Sequence, residues 1–221
     1  AVGGDIGCGV AALAFDCEAA RLDDERTAAA VLAGLYRCIP IIRHGRKRAP
    51  GLSPGLTERV LSAPALETLK SRDGALQVGT LGRGNHFVEL QADSDGRLWL
   101  MLHSGSRGVG QAIRDHHLAR CGAGRSGLRY LDATGREGAD YLADMAWAVD
   151  YAELGRRRMV AAVCEVLKGV LGSDPDDGSY ISCNHNHVRR EIHEGKALWV
   201  HRKGAIAAAA GEPGLVPGSM G

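Results

Sequence analysis

His86-Phe87-Val88-Glu89-Leu90-Gln91-Ala92-Asp93-Ser94-Asp95-Gly96-Arg97-Leu98-Trp99-Leu100-Met101-Leu102-His103-Ser104-Gly105-Ser106-Arg107-Gly108 reads as two short strands, around His86–Gln91 and Leu98–His103, split by the turn Asp93-Ser94-Asp95-Gly96. A helix entered from a glycine loop is expected directly after it, over Gly108–Arg120. Upstream, Val10–Phe15 alternates loosely and predicts a strand. Asp23-Asp24-Glu25 then heads an alanine-rich run to Tyr36, which predicts a helix with acids at its positive end. Residues 39–56, with Pro40, Pro50 and Pro54, read as a loop carrying Arg43-His44-Gly45-Arg46-Lys47-Arg48, and Leu56–Ser71 reads as helix. Downstream, Leu142, Met145, Ala146, Val149, Ala152, Met159, Val160, Val163 and Leu167 recur at helical spacing, predicting one long helix that Gly155 could interrupt. A loop over Gly172–Gly178 and a strand Leu198–His201 running into Arg202-Lys203-Gly204 are expected towards the C-terminal end. Strands and helices are interleaved, with no internal repeat and no clean linker, so the expectation is one α+β domain over residues 1–221.

Composition narrows the class. Glycine contributes 31 of 221 residues, about twice its usual share, which implies many turns and close backbone approaches. Only 2 Phe, 5 Tyr and 3 Trp are present, so Ala, Val, Leu and Ile must fill the core. Lys plus Arg number 27 against 26 Asp plus Glu, so no global charge points to a polyanionic partner. Yet 22 of the 27 cations are arginine, the side chain suited to bidentate phosphate contacts, although a coding bias explains that excess equally well. Six irregularly spaced cysteines without a Cys-x-x-Cys pair suggest reduced thiols and a cytoplasmic setting. The longest apolar run, Ala28–Tyr36, is far below the roughly 20 residues of a bilayer span, so no membrane association is expected. The chain opens Ala1-Val2-Gly3-Gly4 without methionine and stops on Pro217-Gly218-Ser219-Met220-Gly221. That predicts an internal fragment, cut at both ends.

Three histidines, His86, His103 and His185, sit beside glycine or asparagine at the edges of expected strands, where a side chain and the backbone can reach one ligand together. In Asp5-Ile6-Gly7-Cys8-Gly9, glycines flank a thiol three residues from a carboxylate. Alone, each of these residues is more often a hydrogen-bonded or apolar core residue than a ligand. Together they form a candidate metal set, and a thiolate with imidazoles favours zinc or iron by softness. The loop His103–Gly110 opens the expected helix, so its backbone N–H groups and Arg107 are candidates to hold a phosphate. Arg202, Lys203 and the basic run 43–48 are further candidates for nucleic-acid phosphates, or simply solvated cations.

Six segments, AVGGDIGCGV, GTLGRGNHFVEL, MLHSGSRGVG, CNHNHV, HRKGA and VPGSMG, occur here in the order in which similar segments occur in the RtcB-type RNA ligases. The chain resembles that family from end to end. The resemblance implies the RtcB-like α+β fold. It also implies GTP- and Mn2+-dependent joining of RNA 2′,3′-cyclic phosphate or 3′-phosphate ends to 5′-hydroxyl ends. The family route runs through a guanylylated histidine and an RNA 3′-phosphate-GMP intermediate. One Mn2+ would be held by Asp5, Cys8 and His86 and a second by Cys8, His103 and His185, with the Cys8 thiolate bridging; the family's manganese thus replaces the softness-based choice. Asn85, His86, Phe87, Val88, Glu89, His185, Asn186, Pro217, Gly218, Ser219 and Met220 match the family's GTP-contacting stretches. By charge and placement, Arg107, Arg202 and Lys203 suit phosphates of the RNA or of the nucleotide; the RNA would be tRNA halves or damaged RNA.

The departures are specific. The family's guanylate-accepting histidine lies in a Ser-His-Gly-Ala-Gly-Arg motif that these 221 residues do not contain, and His201 of HRKGA does not replace it. The expectation is therefore a metal and nucleotide core that is inactive by itself. Ile41-Ile42-Arg43-His44-Gly45 is also more basic than the glycine-rich loop that the family places there. Two other classes fit the same residues: a phosphoesterase that activates water at the metal centre, and a non-catalytic metal- or RNA-binding remnant.

Overall fold

Every residue from Gly9 to Phe15 is buried, so the expected first strand has both faces covered and belongs inside a sheet. In the computed structural model, which describes residues 3–123, 127–207, 210–211 and 213–215, this strand is β1 (Gly9–Glu18). The expected pair around the Asp93–Gly96 turn forms β2 (Phe87–Ala92) and β3 (Arg97–Ser104). The sheet is completed by an edge strand from late in the chain, β6 (Pro175–Asn184), in the order β2-β3-β1-β6 with every pairing antiparallel.

The helix that begins after Asp23-Asp24 is α1 (Glu25–Cys38); the Asp24 carboxylate caps it by accepting from the Thr27 N–H. Residues 56–71 depart from the single helix expected there. The structure has α2 (Pro54–Glu58) and α3 (Pro64–Leu69), followed by a wide turn Lys70–Gly74 and a short α4 (Ala75–Gln77). Pro64 is the cause: proline has no N–H to continue a helix and forces Ala63 before it into an extended conformation, φ −130° and ψ 141°. The broken ends are satisfied from outside, with Leu61 N–H donating to the Glu67 carboxylate and Ser62 N–H to Asp144.

The glycine loop after β3 enters α5 (Arg107–Leu118), as expected. Two short strands, β4 (Gly122–Ala123) and β5 (Arg129–Tyr130), pair beside it. The long helical pattern is α6 (Arg136–Leu171), unbroken for 36 residues, or roughly 54 Å at 1.5 Å per residue. Gly155 does not interrupt it but is buried where the helix passes the Gly79 backbone. The segment read as a loop over 172–178 is already strand from Pro175 onward. Here β6 (Pro175–Asn184) pairs Pro175 with Phe15, a position an edge strand tolerates because proline there needs no inward donor. A hairpin of β7 (Asn186–His193) and β8 (Lys196–Lys203) follows.

Strand alternation sends Val10 and Ala12 to one face of the sheet, against Trp99, Met101, Ile181 and Leu215, and their neighbours to the other. Ala11, Leu13, Phe15, Leu98, Leu100 and Leu102 face α1 and the C-terminal half of α6, against Val31, Met159, Val163 and Leu167. A second cluster packs α5 and the segment 52–78 on the N-terminal half of α6 around Trp147 and Tyr151. Helix α6 therefore spans both cores, and the loops at one end of β1, β3 and β6 lie against its middle. Among the described residues no helix is long and apolar enough to cross a membrane.

Candidate metal centre

The Asp5–Gly9 turn is tight: Cys8 N–H donates to the Asp5 carbonyl at 3.0 Å, and Gly7 sits at φ +72°, the left-handed region that glycine enters without penalty. That turn delivers the Asp5 carboxylate and the Cys8 thiol to the end of β1. His103 arrives at the end of β3, paired in register with Val10. His86 immediately precedes β2, and His185 forms the one-residue corner between β6 and β7, its N–H donating to the Cys8 carbonyl at 2.9 Å. Glycine is required once more at Gly105, where any Cβ would lie 2.4 Å from the Asp5 carboxylate.

The five side chains converge. Asp5 Oδ2 lies 2.8 Å from His86 Nε2, Cys8 Sγ lies 3.6 Å from His86 Nε2 and 3.1 Å from His103 Nε2, and the Nε2 atoms of His103 and His185 are 2.9 Å apart. They form two groups that share Cys8: Asp5, Cys8 and His86, and Cys8, His103 and His185, each with one ligand atom per residue within 4.8 Å of the others. These are the same two trios that the family resemblance implies.

Hydrogen bonding makes the arrangement fit a cation. His86 Nδ1 is 2.9 Å from the Leu81 carbonyl and His103 Nδ1 is 2.8 Å from the Asn85 carbonyl. A carbonyl only accepts, so Nδ1 carries the hydrogen in both rings and Nε2 is the atom turned inward to the cluster, the usual orientation of metal-ligating histidine. Burial, reinforced by the neighbouring His103, depresses the His185 pKa, and burial likewise depresses that of His103, so both rings are neutral near pH 7. Burial would raise the Asp5 carboxyl, but the His86 hydrogen bond and charge, with Arg107 nearby, outweigh it and keep the pKa below the usual range. Thiolate, carboxylate and imidazole lone pairs facing one another repel unless a proton or a metal lies between them. In the free protein burial and the Asp5 charge push the Cys8 thiol well above its ordinary pKa, whereas Arg156 pulls it down.

Two clefts flank the cluster and share Asp5 and Asn85. One, of about 530 Å3, is lined by Cys8, His185, Asn186 and Lys203. The other, of about 420 Å3, is lined by His86, Arg83, Arg107 and Ile42. Ile42 belongs to the root of the basic loop, which hydrogen bonds from Leu81 to Pro40 and from Gly82 to Ile41 tie to the cleft. Arg107 is held at φ +59°, rare for a residue with a side chain, and its Nε donates to Thr80 Oγ1 at 3.3 Å. The expected phosphate role of the α5 N-terminus is narrowed, because Gly108 N–H is already donated to Gln77 Oε1 at 3.1 Å.

A family model described as tRNA-splicing ligase RtcB matches residues 57–221. The chain belongs to the RtcB family. It is 33% identical to RNA-splicing ligase RtcB1 of Escherichia coli (strain ATCC 25922) over 263 aligned positions, which cover all of this chain and 60% of that protein. It is 36% identical to RNA-splicing ligase RtcB of E. coli K12 over 65% of this chain and 39% of the relative. For tRNA-splicing ligase RtcB of Archaeoglobus fulgidus the identity is 33%, over 72% of this chain and 42% of the relative. The chain thus spans between about two fifths and three fifths of the length of these relatives.

The nucleotide-contacting positions implied by the RtcB resemblance separate in the fold. Asn85, His185 and Asn186 line the larger cleft, and Asn186 also holds the Asp5 loop, its Nδ2 donating to the Asp5 carbonyl at 2.7 Å. Phe87 tilts against the His103 ring, with centroids 5.6 Å apart. Val88 turns into the sheet–helix core, and Glu89 is exposed on β2; neither side chain lines a cleft. Pro217, Gly218, Ser219 and Met220 lie outside the described residues. Lys203 and Arg202 project to opposite sides of β8. Lys203 reaches the larger cleft, whereas Arg202 forms a two-pronged ion pair with Glu191, so the structure does not bring Arg202 to the site. Sequence reasoning missed Arg156 and Glu153, which lie behind the cluster on α6. The available signal was an arginine on the apolar stripe, four residues after Ala152 and three before Met159.

Proposed function

We propose that the protein acts as an RNA ligase that uses GTP and Mn2+ to join RNA ends bearing a 2′,3′-cyclic phosphate or 3′-phosphate to 5′-hydroxyl ends, in tRNA splicing or RNA repair. The observation that carries this reading is the convergence of Asp5, Cys8, His86, His103 and His185 between two clefts that each present a cation, Lys203 or Arg107. A protein that only bound metal would need the ligands but not cation-bearing clefts on both sides.

Asp5, Cys8 and His86 would hold one ion and Cys8, His103 and His185 the other, and bound divalent cations would neutralise phosphoryl oxygens and orient them for in-line displacement. The chain's own residues account for the rest. Lys203 offers a mobile point charge to a phosphate in the larger cleft, and Arg107 offers a planar fork in the smaller one. Asn85, at the wall shared by both clefts, also accepts from His103 through its carbonyl and so couples the clefts to the ligand set. In the family route the covalent carrier of GMP is a histidine in a motif absent from these 221 residues, so that role is assigned to no residue here. His201 does not take it: its ring stacks on Tyr141, and it lines neither cleft.

The test uses the natural gene product with α-labelled GTP, Mn2+ and RNA ending in a 2′,3′-cyclic phosphate. Label transfer to protein and then to RNA, with joining to a 5′-hydroxyl strand, is expected. Cys8→Ala or His185→Ala should abolish the labelled protein adduct. An adduct retained in both variants contradicts the proposal, and hydrolysis of the cyclic phosphate without label transfer replaces it with a phosphoesterase.

A further inference from the structure

Arg156 is completely buried on the stripe of α6 that faces the sheet. Its Nη1 donates to the Gly7 carbonyl at 2.7 Å and to the Ser104 carbonyl at 3.0 Å. Its Nη2 donates to Asn184 Oδ1 at 2.5 Å and to Glu153 Oε2 at 2.9 Å. Three of these four acceptors belong to immediate chain neighbours of candidate ligands: Gly7 precedes Cys8, Ser104 follows His103, and Asn184 precedes His185. One guanidinium therefore bonds the three backbone segments that supply one complete trio.

We infer that Arg156 is a positioning residue for the metal centre, a single planar clamp that sets the spacing of Cys8, His103 and His185 for a divalent cation. The inference rests on the metal reading above. Arginine is suited to it because its donors leave two nitrogens of a rigid plane in fixed directions, whereas a lysine ammonium offers its three donors from a single point. Burying a charge is costly, and an apolar side chain of similar size on this stripe would often serve stability as well or better. The site carries a further cost, since Arg156 Nε is buried with no partner among the described residues. Glu153, one turn earlier, completes the device: it accepts from Arg156 and from Ser182 Oγ at 2.6 Å and Tyr180 OH at 3.1 Å, anchoring the guanidinium to β6, the strand that leads into His185. Alignment of ligands by hydrogen-bonded neighbours of this kind typically contributes 10–100-fold in metal affinity.

The test titrates the natural gene product with Co2+, whose thiolate charge-transfer absorption reports coordination by a cysteine, assigned to Cys8 by its loss in Cys8→Ala. Arg156→Lys keeps the charge and loses the fork; Asn184→Ala removes one acceptor from a partly exposed position and leaves the core intact. Expected is a loss of about 10–100-fold in Co2+ affinity for Arg156→Lys, with an altered absorption spectrum, and a smaller loss of the same kind for Asn184→Ala. If Arg156→Lys does not fold, Asn184→Ala decides by the same criterion. Affinities within twofold of the parent and an unchanged spectrum, with a lowered melting temperature alone, would make Arg156 a purely structural residue and overturn the inference. Absence of the charge-transfer band in the unaltered chain would overturn the metal reading itself, and the clamp with it.

Discussion

Lys203 and Arg202 are adjacent in sequence and opposite in role, and the difference is strand geometry. On β8 successive side chains leave opposite faces, so Lys203 reaches the larger cleft while Arg202 is taken up by Glu191. If Lys203 meets RNA phosphate, Lys203→Met should weaken binding of a 3′-phosphate RNA and reduce the salt slope of log K by about one, whereas Arg202→Met should leave both within error. Fluorescence anisotropy across a salt series makes the comparison; an Arg202→Met effect as large as that of Lys203→Met would refute this assignment of faces. The convergence of the candidate set was legible at this scale because Asp5, Cys8, His86, His103 and His185 share a chemistry and lie beside turn-forming residues. What the residues alone could not reveal was direction. Val88 lies next to cleft residues in the chain yet points into the core, and Arg156, an unremarkable cation in a helix, becomes a hub only once α6 is packed on the sheet.

At the scale of elements, α6 is the member on which two apolar clusters and the loops of the candidate metal centre converge. Its periodicity was readable across its whole length because a helix facing two apolar clusters must repeat hydrophobic residues with a period of 3.6. Gly155 was ambiguous, since sequence does not reveal whether a helix glycine is a break or a contact point. The structure leaves room for more: among the described residues a Cβ there would meet only the Gly79 nitrogen, at an ordinary 3.5 Å. Gly155→Ala should therefore stabilise the fold by roughly 0.5–1 kcal/mol through helix propensity, read as a higher urea midpoint at unchanged slope. A lower midpoint would mean that the helix cannot carry a methyl group past Gly79. The 56–71 segment misleads in the opposite way, because its apolar spacing is helical on both sides of Pro64 and only the missing N–H divides it.

For the whole molecule, the α+β class followed from interleaved patterns, but the strand order β2-β3-β1-β6 did not. It depends on pairing residues 9–15 with residues 175–184, a choice made by tertiary contacts between segments more than 150 residues apart. That long-range pairing is what unites the site, since Cys8 and His185 come together only when β1 and β6 are neighbours. The central claim is that this assembly is a two-ion centre bridged by Cys8. Its most direct measurement is calorimetric titration of the natural gene product with Mn2+ in two buffers of different ionisation enthalpy. Because burial raises the Cys8 pKa, the thiol is protonated at neutral pH, so binding should release a proton and tighten as pH rises; His103 and His185, already neutral, should release none. The account predicts about two ions per chain, a buffer-dependent heat and loss of both in Cys8→Ala. Binding that is independent of buffer and unchanged in Cys8→Ala would contradict it.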